Sequence, residues 1–296
     1  MRYILLLIVG VLLLFSCDFN SSKKTQDNAQ PGSNSPKDVE ALMQRRMATT
    51  DDYSEALDQL DQGTLASLDV AKVLLVNSKA DTLTRDSMFV FFNDFYNRLA
   101  GSYLENNETV SSLLENSPSE EVLTRLKSTF APYGILLSVT GGEYSLEPQT
   151  EYLLQNFGGT LSPAYREYLT LEEKEQKGRF AVNGTILIPA DSLAARIITW
   201  ENFLERYPGF VSCKQAQDQY AQYLGAYLAG MDNSRVFDAM SNRLTDSSKV
   251  AFETFIANHP QGKSSEIVKA YLDLLHTTNF NYTDKVDSFL LEKVYH

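Results

Sequence analysis

"WENFLERYPG", Trp200 to Gly209, is the stretch whose reading decides the fold. It closes a seam that begins upstream. Leu193, Ile197, Trp200, Leu204 and Tyr207 step by three or four residues, the spacing that puts side chains on one face of an α-helix. Asp191 or Ser192 stands where a helix cap belongs, and Pro208-Gly209 stops the helix. Ala216, Tyr220, Tyr223, Leu224 and Tyr227 then form a second helical face, so the unit reads as a helical hairpin. With a period of 52 the phrase returns as "AFETFIANHPQG", Ala251 to Gly262. Glu201 aligns with Glu253, Phe203 with Phe255, Leu204 with Ile256 and Pro208 with Pro260. A second helix follows here too, carrying Ile267, Val268, Tyr271, Leu272 and Leu275.

This pattern resembles the tetratricopeptide-like helical repeats of bacterial envelope lipoproteins, where a phrase such as "FLxxYP" closes one helix before the next begins. The resemblance runs from Asp191 to Phe280. Its period is well above the roughly 34 residues of a tetratricopeptide unit, and that unit's small-residue positions do not recur cleanly. Two readings stay open: a diverged repeat, or two unrelated hairpins that share aromatic cores and proline-glycine turns.

Working outward, the same periodicity governs the chain before residue 191. Met88, Phe92, Phe95, Leu99 and Tyr103 line one helix, and Leu65, Leu68, Ala71, Val73, Leu74 and Leu75 make a shorter apolar run. Ser117-Pro118-Ser119-Glu120 predicts a helix start with serine as cap, and Ser162-Pro163 predicts another. Two interruptions read as β-hairpins. Gly141-Gly142 lies inside "ILLSVTGGEYSLEP", and Asn183-Gly184 lies inside "FAVNGTILIP". The expected fold is mainly α, helical hairpins in a repeat-like or bundle arrangement with one or two small β-hairpins. The expected boundary between an N-terminal helical region, 38–190, and the C-terminal helical-hairpin region, 191–296, falls just before the decisive helix.

The N-terminus carries an address. Arg2 precedes an apolar run from Ile4 to Phe15 without a charge, shorter than the roughly 20 residues that span a bilayer. Leu14-Phe15-Ser16-Cys17 resembles the lipobox of bacterial lipoproteins, with an aliphatic residue at −3 and a small one at −1; Phe15 stands where a small or aliphatic residue is usual. The resemblance implies a signal peptide over 1–16, cleavage before Cys17 and a lipid on its sulfur and new amino terminus. Residues 17–37, rich in Ser, Asn, Gln, Gly and Pro, then read as a flexible tether. The expected location is the cell envelope, lipid-anchored, with the outer membrane preferred. Asp18 directly after the cysteine favours the inner membrane in enterobacterial lipoproteins, a rule other lineages do not follow.

Composition narrows the function. The formal charge of −12 is spread along the chain, which argues against nucleic acid and against electrostatic attraction to anionic lipids, so that the lipid and not the protein surface is expected to hold the chain at a membrane. With Cys17 lipidated, Cys213 has no disulfide partner. Three histidines in turn, helix-end and terminal positions, and no metal or phosphate motif, lead us to expect no metal, no cofactor and no catalytic set. Paired acids at Asp51-Asp52, Asp58, Asp61, Glu172-Glu173 and Glu175 leave a carboxylate-dependent hydrolase as one alternative. The stripe Tyr220, Tyr223 and Tyr227 is the candidate binding surface, for a protein partner or, as a second alternative, for a glycan. The leading expectation is a membrane-anchored, non-enzymatic binding or scaffold module for protein partners.

Overall fold

The computed structural model describes residues 36–115 and 117–295. The expected signal peptide, Cys17 and all but the end of the expected tether lie outside the described residues. The described chain belongs to one compact unit and is mainly α, with thirteen α-helices and three two-stranded antiparallel sheets.

Its first half wraps one long helix. Helices α1 (Pro36–Met43), α2 (Thr50–Asp58) and α3 (Ala66–Val76) precede α4 (Thr82–Asn106), which packs against α2 and α3. Asp81 caps α4 by accepting from the amides of Leu83 and Thr84. The predicted seam Met88, Phe92, Phe95, Leu99 and Tyr103 is buried throughout. Helices α5 (Glu108–Leu114) and α6 (Glu120–Phe130) follow. The cap of α6 is Ser119, not Ser117: its hydroxyl accepts from Val122 N, while Ser117 takes a left-handed φ of 61° ahead of Pro118.

Strands β1 (Ile135–Thr140) and β2 (Glu143–Pro148) form the first hairpin, turning through Gly141 and Gly142, both at positive φ. The hairpin leans on α6 and α4, as an isolated two-stranded ribbon must to be stable in water. Gly134, just before it, is at φ 66°, and a Cβ there would overlap the Tyr152 ring. Helices α7 (Thr150–Phe157) and α8 (Pro163–Lys177) come next, with Ser162 capping α8 as its sequence predicts. Buried Asp86 of α4 accepts from the Ser162 amide at 2.9 Å and ties the two helices together.

Strands β3 (Ala181–Val182) and β4 (Thr185–Ile186) form the second predicted hairpin, with Asn183 and Gly184 both at positive φ. Then come α9 (Ala190–Arg206) and α10 (Cys213–Ala229), the first C-terminal hairpin. Pro189 occupies the cap position of α9, so Asp191 and Ser192 lie inside its first turn and cap nothing. A third ribbon, β5 (Gly230–Met231) with β6 (Ser234–Arg235), has no counterpart in the sequence reading. Its turn is held from outside. Asn233 N donates to Gly184 O at 2.9 Å, and Ile186 N donates to Ser234 Oγ at 2.8 Å. The second hairpin, α11 (Asp246–Asn258) and α12 (Lys263–Thr277), and a last helix, α13 (Asp284–Lys293), complete the chain.

One aromatic column crosses from α4 to α9. Phe92 meets Phe157 at 4.6 Å and Phe89 meets Tyr165 at 4.9 Å between ring centres. Tyr165 meets Phe210 at 5.0 Å, and Tyr168 meets Trp200 at 5.8 Å. These edge and tilted pairs bury large areas on both sides of residue 190.

Candidate functional site

The three tyrosines of α10 point into the helical pack. Tyr223 and Tyr227 are buried, at 1% and 5% exposure, and Tyr220 is half-buried. Each hydroxyl finds a different helix. Tyr220 meets Ser264 Oγ of α12 at 2.9 Å, Tyr223 accepts from Arg196 of α9 at 3.3 Å, and Tyr227 donates to the Ala251 carbonyl of α11 at 2.8 Å. Burial pushes the Tyr220 phenol up to about 12 and the other two higher still, so all three stay protonated donors. The stripe fastens α10 to its three neighbours, and it is not an exposed coplanar row.

Beside Tyr220 lies a buried carboxylate that the aligned phrases do not single out. Glu201 of α9 is 6% exposed, and its Oε2 accepts from the Ser264 amide at 3.2 Å and from the Ser264 hydroxyl. Gly262, the cap residue of α12, supplies no side chain, so Glu201 caps that helix from another hairpin. A negative charge is favoured there by the unpaired amides and the positive end of the helix dipole. Because Ser264 Oγ donates to the carboxylate, Tyr220 must donate to Ser264. Glu253, the aligned partner, is exposed and only approaches Lys249 at 3.8 Å.

An open groove of about 390 Å³ runs past this point. Ile198, Glu201, Asn202 and Glu205 of α9 form one wall, and the turn from His259 to Gly262 forms the other. Its charged lining residues are carboxylates, so it can receive amide donors or cationic side chains. The His259 ring packs on Phe255 at 5.1 Å.

A half-buried polar group sits where α8 meets α9 and α10. Glu175 is ion-paired to Arg196 and accepts from Trp200 Nε1 at 3.4 Å. Arg196 also donates to the Gly178 carbonyl. Glu172, one turn earlier, has no hydrogen bond or ion pair among the described residues. Burial, and secondarily the Glu175 charge, pushes its carboxyl up to about 7. The pair can therefore hold a proton near neutrality. Glu173 turns outward to Lys177 at 2.8 Å.

The remaining sequence acids have structural tasks. Asp52 closes a capping box with Thr49, which holds its carboxyl below the usual range, and Asp61 accepts from the Gly63 amide at 2.7 Å. Asp51 and Asp58 are exposed. Among the described residues no group of three or more His, Cys, Asp and Glu is placed to hold a metal ion. None of their helices is long and apolar enough to cross a membrane. No family model, curated protein or solved structure matches the chain. Glu201 has no local signature, since the start of α12 makes it distinctive; Glu172 stands among the paired acids of the sequence, but its burial does not show there.

Proposed function

We propose that this chain is a lipid-anchored lipoprotein of the cell envelope, held by Cys17, whose C-terminal hairpins are a non-enzymatic binding or scaffold module for a protein partner. The anchor reading is supported by "LFSC" ahead of a polar tether. The binding reading is carried by one observation: the two hairpins meet along an open groove with one acidic wall, Glu201 and Glu205 of α9. Such a groove fits an extended or helical segment bearing basic side chains. With the tyrosines turned inward, the groove and not the stripe is the surface offered.

The test is site-specific photocrosslinking in native membranes, with the probe at Asn202 or Gln261. A discrete adduct that disappears with Glu205→Lys supports the reading. Uniform background labelling, or an adduct indifferent to Glu205→Lys, refutes it.

Carboxylate-dependent hydrolysis is the second reading, favoured by Glu172 holding a proton near pH 7 beside Glu175. Against it, Glu175 is committed to Arg196 and Trp200, which leaves no ionised second carboxylate free to act on a substrate.

A further inference from the structure

The acidic character of the chain has a local exception at the start of the folded body. An open groove of about 400 Å³ lies between the segment after α1 and the end of α3. Met43, Met47, Val73 and Leu74 form an apolar floor; Arg45, Arg46 and Lys79 form the rim, with Asn77, and no acidic residue lines it among the described residues. Lys79 N donates to Met47 O at 2.9 Å and holds the two walls together. Arg45 is engaged by Glu55 at 2.8 Å, whereas Arg46 and Lys79 make no ion pair among the described residues. Both are exposed, as are Met43 at 45% and neighbouring Val76 at 41%.

We propose that this groove is the face by which the tethered body rests on an anionic bilayer, its cations on lipid phosphates and the exposed Met43 and Val76 at the headgroup boundary. The proposal rests on the lipid-anchor reading. From Cys17 to the start of α1 at Pro36 the chain is short. On the tether reading, a coil of that length would have an r.m.s. span of about 25 Å. Tethering at that range gives an effective concentration on the order of millimolar, so an attraction too weak to recruit a free protein still orients an anchored one. The charge of −12 acts in the same direction. An anionic surface repels the acidic faces within about one Debye length, roughly 8–10 Å, and attracts the basic rim. The groove follows α1 directly, so it lies at the end of the body that the tether holds.

The experiment uses the full-length protein purified from membranes and reconstituted into phosphatidylcholine vesicles with or without phosphatidylglycerol. Hydrogen exchange is read in segments 42–48 and 73–79. The expected result is severalfold slower exchange in both segments only when phosphatidylglycerol is present. The effect should vanish in an Arg46→Glu, Lys79→Glu double variant and at about 0.5 M salt. Equal exchange in the two vesicle types, or protection that survives charge reversal, overturns the proposal. So does equal protection by inorganic phosphate in phosphatidylcholine vesicles, which would mark a small-anion site. The mass of the N-terminal peptide reads acylation separately. Acylated protein indifferent to lipid charge overturns the groove alone, whereas unacylated protein that leaves the vesicles overturns the anchor and the groove with it.

Discussion

Replacing Glu172 by glutamine should stabilise this protein at pH 8. Its carboxyl is raised from 4.5 to about 7, first by burial on α8 and then by the Glu175 charge one turn away. The groups around it are Glu175, Tyr165 and Tyr168, with Arg196 held by Glu175. Below the unfolded value both states are protonated, and the native state carries no penalty. As pH rises through about 7 the native carboxyl ionises in a desolvated site, and the stability present at low pH is lost. A shift of that size sets a ceiling of about 3.5 kcal/mol, at about 1.4 kcal/mol for each pKa unit. The side chain keeps partial contact with solvent, and screening brings the working figure down to about 1–2 kcal/mol.

Glutamine keeps the shape and removes the charge. Glu172→Gln should therefore match wild type near pH 4 and exceed it by about 1–2 kcal/mol at pH 8. Urea unfolding at a series of pH values measures this. The only tryptophan, Trp200, is fully buried and reports the transition. Glu173→Gln, which removes only the outward pair with Lys177, is the control and should change little. If Glu172→Gln is no more stable at pH 8, or its advantage does not shrink as pH falls, the buried-carboxyl argument is wrong.

Cys17→Ala should abolish acyl labelling and membrane retention; wild-type labelling of the variant would remove the anchor. Trp200→Ala should cost about 3–5 kcal/mol in chemical denaturation, because a fully buried indole leaves a cavity between α8 and α9; a loss under about 1 kcal/mol would contradict its placement. Among the tyrosines, Tyr223→Ala and Tyr227→Ala should lose about 3–5 kcal/mol and half-buried Tyr220→Ala about half as much, so equal melting losses for all three would refute the assigned burial. Glu201→Ala should cost about 2–4 kcal/mol by leaving two buried Ser264 donors without an acceptor, while Glu253→Ala, at the aligned but exposed position, should stay near wild type.

Where apolar spacing and turn chemistry act locally, the sequence is a sufficient guide. The seam of α4, the Ser162 cap of α8 and the Gly141-Gly142 and Asn183-Gly184 turns depend on residues within one or two turns of each other. Helices, tight turns and the Ser162 cap could therefore be read directly, and with them the mainly α class, whereas the caps of α6 and α9 lie two residues or more from their expected positions. The third ribbon could not. Met231 to Ser234 has weak strand propensity, and the ribbon is held by Gly184 and Ile186 from a hairpin far away in sequence.

The same division separates the candidate site from the fold. Helical spacing places Tyr220, Tyr223 and Tyr227 on one face of α10, but it cannot say what covers that face. Three different helices cover it and turn a candidate binding stripe into a fastening. Glu201 and Glu253 occupy matching places in nearly matching phrases, yet one is a buried helix cap and the other a solvated surface charge. The difference is the amino-terminal end of α12, which lies over Glu201. Periodicity reports which side chains share a surface. Burial and charge depend on what packs against that surface, and only the tertiary structure decides that.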